Sequence, residues 1–251
     1  MNFTPASAGS LLAFAAILLA VLYAILLAVH VAYRSFKVTA LAGVLLGAWL
    51  GIQSALVASG RMTSLPLNGL PFFFGPVLVI WIGLAFSSVG ARLAATLPLA
   101  ALVGFQAFRL PLELVLHAWF KQGTIPETMT WSGYNWDIVS GIIALLCAPL
   151  ANRHHWAARL ANIVGFALLL NVMRVAILSA PVPFGWNNEP KLLLAFHLPY
   201  ALIGPVCVGG ALFGHLVLTR ALWSRPASTG GPVSWRAAAQ RELSPPIHTV
   251  K

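Results

Sequence analysis

Residues 8–30 read AGSLLAFAAILLAVLYAILLAVH, a run without a single Lys, Arg, Asp or Glu. A helix rises ~1.5 Å per residue and the hydrocarbon layer of a bilayer is ~30 Å thick, so about 20 apolar residues suffice to cross it. This run is long enough. It lacks the basic n-region of a signal peptide and outruns an h-region of about 7–15 residues, so it reads as a retained membrane helix. Further apolar runs follow at 38–59, 71–87, 93–109, 138–151, 160–180 and 194–219. The expected fold is an all-α membrane protein, a bundle of about seven transmembrane helices.

Composition agrees. Of the 251 residues, 59% are apolar and 8% charged, against roughly 45–50% and about 25% in soluble domains. The formal charge of +10 sits between apolar runs, so it bears on orientation in a bilayer and no nucleic-acid partner is expected. Cys147 and Cys207 lie inside apolar runs with no CxxC or Cys/His spacing, which argues against a disulfide framework or a zinc site. There is no G-x-G-x-x-G after a strand, no Walker A run and no H-E-x-x-H. With five acidic residues in all, no carboxylate metal cage is expected, and no cofactor.

Positive charge near helix ends stays on the cytoplasmic side. An outside N-terminus and a cytoplasmic C-terminus put Arg34, Lys37, Arg92, Arg153 and Arg159 inside and leave Glu113, Glu127, Asp137 and Glu189 outside. The reading is a multi-pass protein of a bacterial inner membrane. Residues 1–223 form the polytopic domain, and 224–251, rich in Pro, Gly, Ser and Arg, form a flexible basic cytoplasmic tail. Gly43, Gly47 and Gly51, and again Gly210 and Gly214, are spaced for close helix packing.

Polar residues inside or beside these runs mark candidate sites, because an ionised group in hydrocarbon costs several kcal/mol unless paired or hydrated. Arg174, in LANIVGFALLLNVMRVAILSAPVPF, has Asn171 three residues earlier on the same helical face. His197 enters the last run about one turn past its start, at a similar depth. Asp137 and Ser140 share one face at the outer mouth of the fifth run, where Asp137 is equally suited to an N-cap role. The segment 109–137, RLPLELVLHAWFKQGTIPETMTWSGYNWD, reads as too polar to span. It is expected to form an interfacial helix on the outer face, with Glu113 and Lys121 toward water, as a lid over a cavity or a cap on the bundle. Arg109, Glu113, Tyr134, Asn135 and Asn171 are candidate binding residues. Arg174, His197, Ser140 and Asp137 are candidate catalytic ones, and Arg174, His197, Asn171 and the Asp137–Ser140 turn are expected to line one outward-facing pocket beneath the 110–136 segment.

Three short motifs carry a resemblance. NVMR at 171–174 and AFH at 195–197 resemble the Asn-x-x-Arg and Phe-His segments of the exosortase/archaeosortase family, and VSG at 139–141 resembles the position of its Cys-Ser-Gly. The resemblance covers the second half of the chain. It implies a protein-sorting peptidase or transpeptidase acting on C-terminal sorting peptides at the extracytoplasmic side, with Arg174 stabilising the oxyanion and His197 as base. The family's cysteine position is Val139 here, and Cys147 lies eight residues on, ~12 Å deeper along a helix. Ser140 is the remaining nucleophile, on a face about 100° away. The resemblance thus implies a divergent or an inactive relative.

Two other classes compete with it. One is a non-catalytic binding, assembly or transport subunit whose pocket holds a lipid, a peptide or a membrane partner protein. The other is a b-type haem protein, pairing His30 with His215 and His117 with His197 across helices.

Overall fold

The computed structural model describes residues 2–225, so the expected basic tail lies outside the described residues from position 226 onward. The described residues form helices and turns without a strand. Six helices are long and apolar enough to cross a membrane, and Ile138–Ala151 is a shorter apolar one. These features fit a multi-pass integral membrane protein.

The first two helices form a tight hairpin. Helix α1 (Ala8–Tyr33) starts at Ser7, whose hydroxyl accepts from the Ser10 amide, and stops at Arg34, which turns left-handed at φ 47°. Ser35 then caps α2 (Phe36–Ala58) by accepting from the Val38 amide. Helix α2 stands at the periphery, with only 11% of its apolar window buried against 72% for the last helix. Its glycines do not serve the packing expected of them. Gly47 and Gly51 face open space, and only Gly43 meets a neighbour, Leu26 at 3.8 Å. In the last helix the expectation holds at Gly214, where an added Cβ would lie 2.5 Å from Gln106 Nε2 and 2.9 Å from the Phe105 ring.

Helix α3 (Leu70–Phe86) follows a turn at Pro66–Gly69 and ends at Ser87. Here the observed course departs from the run expected at 93–109. Pro98 holds Leu97 in extended backbone, as a proline does to its predecessor, and so separates a short helix α4 (Ser88–Thr96) from α5 (Leu99–Gly104). A 3-10 turn, Phe105–Phe108, joins α5 to α6 (Arg109–Lys121), and the three pieces make one rod over Leu99–Lys121. Arg109 is therefore near the middle of a spanning-length helix, roughly 15 Å from either end. The expected outer interfacial helix is the second half of this rod, and Glu113 is buried within the bundle.

Residues 122–137 fold back against the bundle before α7 (Ile138–Ala151) begins. Helix α7 is only 14 residues long, ~21 Å, and its first turn abuts the start of α6, in the middle of the Leu99–Lys121 rod. A Cβ on Gly141 would run into the backbone of Leu110. Helix α8 (His155–Ser179) is long and regular. The last crossing starts later than position 194, because Pro199 excludes helix at its predecessor. It runs over Tyr200–Ser224, ending in α9 (Gly209–Ser224) after a π turn at Ile203–Val208.

Alternating rods bring the ends of α1, α3, α4, α7 and α9 together. At this basic end three arginines donate to carbonyls at helix ends. Arg92 Nε reaches Ala32 O at 2.9 Å, Arg220 takes Ser87 O at 3.0 Å and Ala85 O, and Arg225 takes Leu97 O at 2.8 Å and Ala94 O. At the opposite end the N-terminal residues strap the bundle. The Ala6 amide donates to the Tyr200 hydroxyl at 2.7 Å and the Ser7 amide to Gln122 Oε1 at 2.6 Å.

Candidate functional site

The polar groups of the middle of the bundle collect around Arg109. Its guanidinium engages Asp137 with two nitrogens, Nε to Oδ2 at 2.6 Å and Nη2 to Oδ1. Nη1 donates to Gly165 O at 2.8 Å and meets His215 Nε2 at 2.9 Å. A guanidinium can only donate. His215 Nε2 therefore accepts, which puts the ring proton on Nδ1, 3.0 Å from Asn162 Oδ1. Asn162 Nδ2 continues to Thr219 Oγ1 at 2.7 Å, and the Thr219 hydroxyl returns to His215 O at 2.8 Å. Gly165 makes the histidine's approach possible, since a Cβ there would sit 2.7 Å from His215 Cε1.

Asp137 closes the other side. Ser140 Oγ donates to its Oδ1 at 2.9 Å, and its amide donates to Asn135 Oδ1 at 3.1 Å. Although Asp137 occupies the N-cap position of α7, its carboxylate makes no capping bond; the ion pair with Arg109 takes it instead. Asn135 Nδ2 donates to Glu113 Oε1 at 2.9 Å and to Met129 O at 3.0 Å. Arg109, Glu113, Asn135 and His215 are each no more than 1% exposed. One atom in this otherwise bonded cluster stands alone: Glu113 Oε2 is buried without a partner.

Arg109, Glu113 and Asp137 also form the polar wall of an otherwise apolar cavity of about 290 Å³. Helix α6 contributes one face through Arg109, Leu112, Glu113 and Leu116, the i, i+3, i+4, i+7 pattern of a single stripe. Leu70, Phe74 and Leu78 of α3 line it opposite Leu169, Met173 and Ile177 of α8. Both helices pack on α9 yet scarcely touch each other. The cavity is thus a slot between α3 and α8, with Ile177 and Phe184 of its lining exposed at the surface.

The structure divides the candidate residues into separate groups. Asp137, Ser140, Asn135, Arg109 and Glu113 belong to the buried cluster. Asn171, Arg174 and Tyr134 form a separate group at the strap end of α8, where Arg174 Nη2 donates to Asn171 Oδ1 at 2.9 Å and Asn171 Nδ2 to Tyr134 O at 2.7 Å. Arg174 is exposed and its guanidinium lies 5.9 Å from the Trp186 ring centroid. His197 is elsewhere again, stacked on Phe3 with ring centroids 3.9 Å apart, where burial holds its imidazole below the ordinary value. No hydrogen bond or ion pair links Arg174 to His197 among the described residues, and neither lines the slot. His197 precedes the last helix instead of riding on it, and the polar groups of the bundle's middle gather on the Arg109–Asp137 pair.

The histidine pairs expected of a haem protein are likewise not formed. His215 faces Arg109 and Asn162, His30 meets Thr39 at 3.2 Å, and His117 stacks on Trp131 at 4.2 Å. Asn162 and Gly165 are not singled out by the sequence as site residues, and His215 enters it only as a haem-ligand candidate. Their signal was there: a histidine and an amide inside apolar runs are themselves polar groups at membrane depth.

Neither a protein-family model, nor a curated protein, nor a solved structure matches this chain.

Proposed function

We propose that this chain is a multi-pass bacterial inner-membrane protein, N-terminus outside and Ile138–Ala151 serving as a seventh crossing, that binds an amphiphilic ligand entering from the hydrocarbon between α3 and α8. Charge asymmetry supports the orientation, since Arg34, Lys37, Arg92, Arg220 and Arg225 gather at one end. The observation that carries the binding reading is the unpartnered, buried Glu113 Oε2 beside an apolar slot. Leaving such a group unsatisfied costs about 1–3 kcal/mol, a cost that a ligand's polar group removes. The reading belongs to the class of non-catalytic binding proteins. Its test is lipid extraction and mass spectrometry of the detergent-purified protein, beside an Ala176→Trp variant that fills the slot from α8. A discrete lipid species present in the wild type and lost from the variant is expected. Identical lipid content in both overturns the reading.

A second proposal follows the exosortase resemblance, a divergent or inactive sorting peptidase whose partner is a C-terminal sorting peptide. What favours it is the Asn171–Arg174 pair, bonded as a unit at the end of α8. Processing of membrane-anchored proteins should then fall in both Arg174→Ala and Ser140→Ala cells. Unchanged processing in both removes it.

A further inference from the structure

We infer that the ligand of the α3–α8 slot is a neutral long-chain alcohol or phenol whose hydroxyl donates to Glu113 Oε2. This rests on the binding reading above and adds the chemistry of the head group. The wall of the slot limits which polar head it can satisfy. Arg109 is the cation among the lining residues, and both its Nε and Nη2 are given to Asp137 while Nη1 serves Gly165 and His215. An anionic head, whether a carboxylate or a phosphate, would therefore meet two carboxyl groups and no free cation. With no unpaired cation beside it, nothing would offset the cost of burying that charge.

A cationic head has the opposite difficulty. It would have to leave water and pass through hydrocarbon to reach the middle of the α6 rod, at a cost of several kcal/mol. A zwitterionic phospholipid head brings both penalties. What remains is a small neutral group. Glu113 Oε1 is already used by Asn135, so Oε2 offers one hydrogen-bonding position. A hydroxyl fills one position with one bond and crosses hydrocarbon cheaply. The rest of the lining is side chains such as Leu112, Leu169 and Val208, which suit an alkyl or isoprenoid chain and nothing polar. The side entrance between α3 and α8 delivers such a molecule from the lipid phase.

The test uses the full chain in detergent micelles with a dodecanol that carries a photoreactive diazirine on its chain. Labelled peptides are mapped, and competition is measured with 1-dodecanol, dodecyl methyl ether and laurate at equal mole fraction. Labelling should fall on α3 and α8, and dodecanol should compete about tenfold better than the ether or laurate, the usual worth of one hydrogen bond to a carboxyl group. In Glu113→Gln, whose Nε2 would present a donor to the slot while Oε1 stays on Asn135, the alcohol-to-ether ratio should fall to about one with labelling retained. Glu113→Leu gives the same comparison with no polar atom at all. Equal competition by ether or by laurate in the wild type overturns the hydroxyl assignment and leaves the binding reading intact. Labelling that avoids α3 and α8 altogether overturns both.

Discussion

Cutting one side of the Arg109–Asp137 pair should destabilise the protein far more than cutting both. In Asp137→Leu the guanidinium keeps only Gly165 O and His215 Nε2, and in Arg109→Met the carboxylate keeps only Ser140 Oγ. Each single change strands a charge at a site about 1–4% exposed, for which the cost is about 3–5 kcal/mol. For a chain of this size about 1 kcal/mol moves the melting temperature by roughly 2–4 °C. Each single variant should thus melt about 6–20 °C below the wild type. The double variant Arg109→Met/Asp137→Leu removes both charges together and should recover most of that loss, because an apolar replacement of a buried pair is often close to neutral. The assay is thermal denaturation in one detergent, read as the fraction surviving size-exclusion chromatography after heating. Single variants that melt within about 2 °C of wild type would mean that the pair is as well hydrated as a surface one. A double variant no better than the singles would equally refute the account.

Gly165→Ala should lower the melting temperature by several degrees, since its Cβ would lie 2.7 Å from His215 Cε1 and such overpacking costs about 1–3 kcal/mol. His197 supplies a pH dependence. Its folded-state value is held below the ordinary 6.5 by burial, so its contribution is complete above about pH 6.5 and declines as pH falls toward the folded value. Protection against hydrogen exchange over residues 2–7, which include its stacking partner Phe3, measured relative to the intrinsic rate at each pH, should therefore fall at pH 5 relative to pH 8, and His197→Phe should abolish the difference. For orientation, Ser59→Cys in intact cells should react with a membrane-impermeant maleimide and Ser35→Cys only after permeabilisation. The native Cys147 and Cys207 are buried and give a low background; the reverse labelling pattern would invert the topology.

The long apolar runs that became α1, α2 and α8 were legible to within a few residues, because length and hydropathy alone decide them. The rod Leu99–Lys121 was not. A charge in a sequence reads as the edge of the hydrocarbon, and Arg109 and Glu113 both lay where a span was needed. Only neighbours on other helices make those charges tolerable, and those neighbours are distant in the chain: Gly165, His215 and Asn135. Pro98 was the local clue that a new helix begins just after it. For the site, Asp137, Ser140, Asn135, Arg109 and Glu113 are all candidates in the sequence, yet the expected placing of Asp137 and Ser140 with His197 needs His197 inside the last helix, and Pro199 disfavours helix at Leu198. Periodicity gives which residues share a face of one helix. It cannot give which faces meet.

The arginines that close the basic end tie the chain's history to its finished form. Carbonyls ending α3 and α4 receive their donors from Arg220 and Arg225, which leave the ribosome more than a hundred residues later. Until then Ala85 O and Leu97 O lack their arginine donors. The last stretch of synthesis thus acts as a clasp on helix ends made long before it.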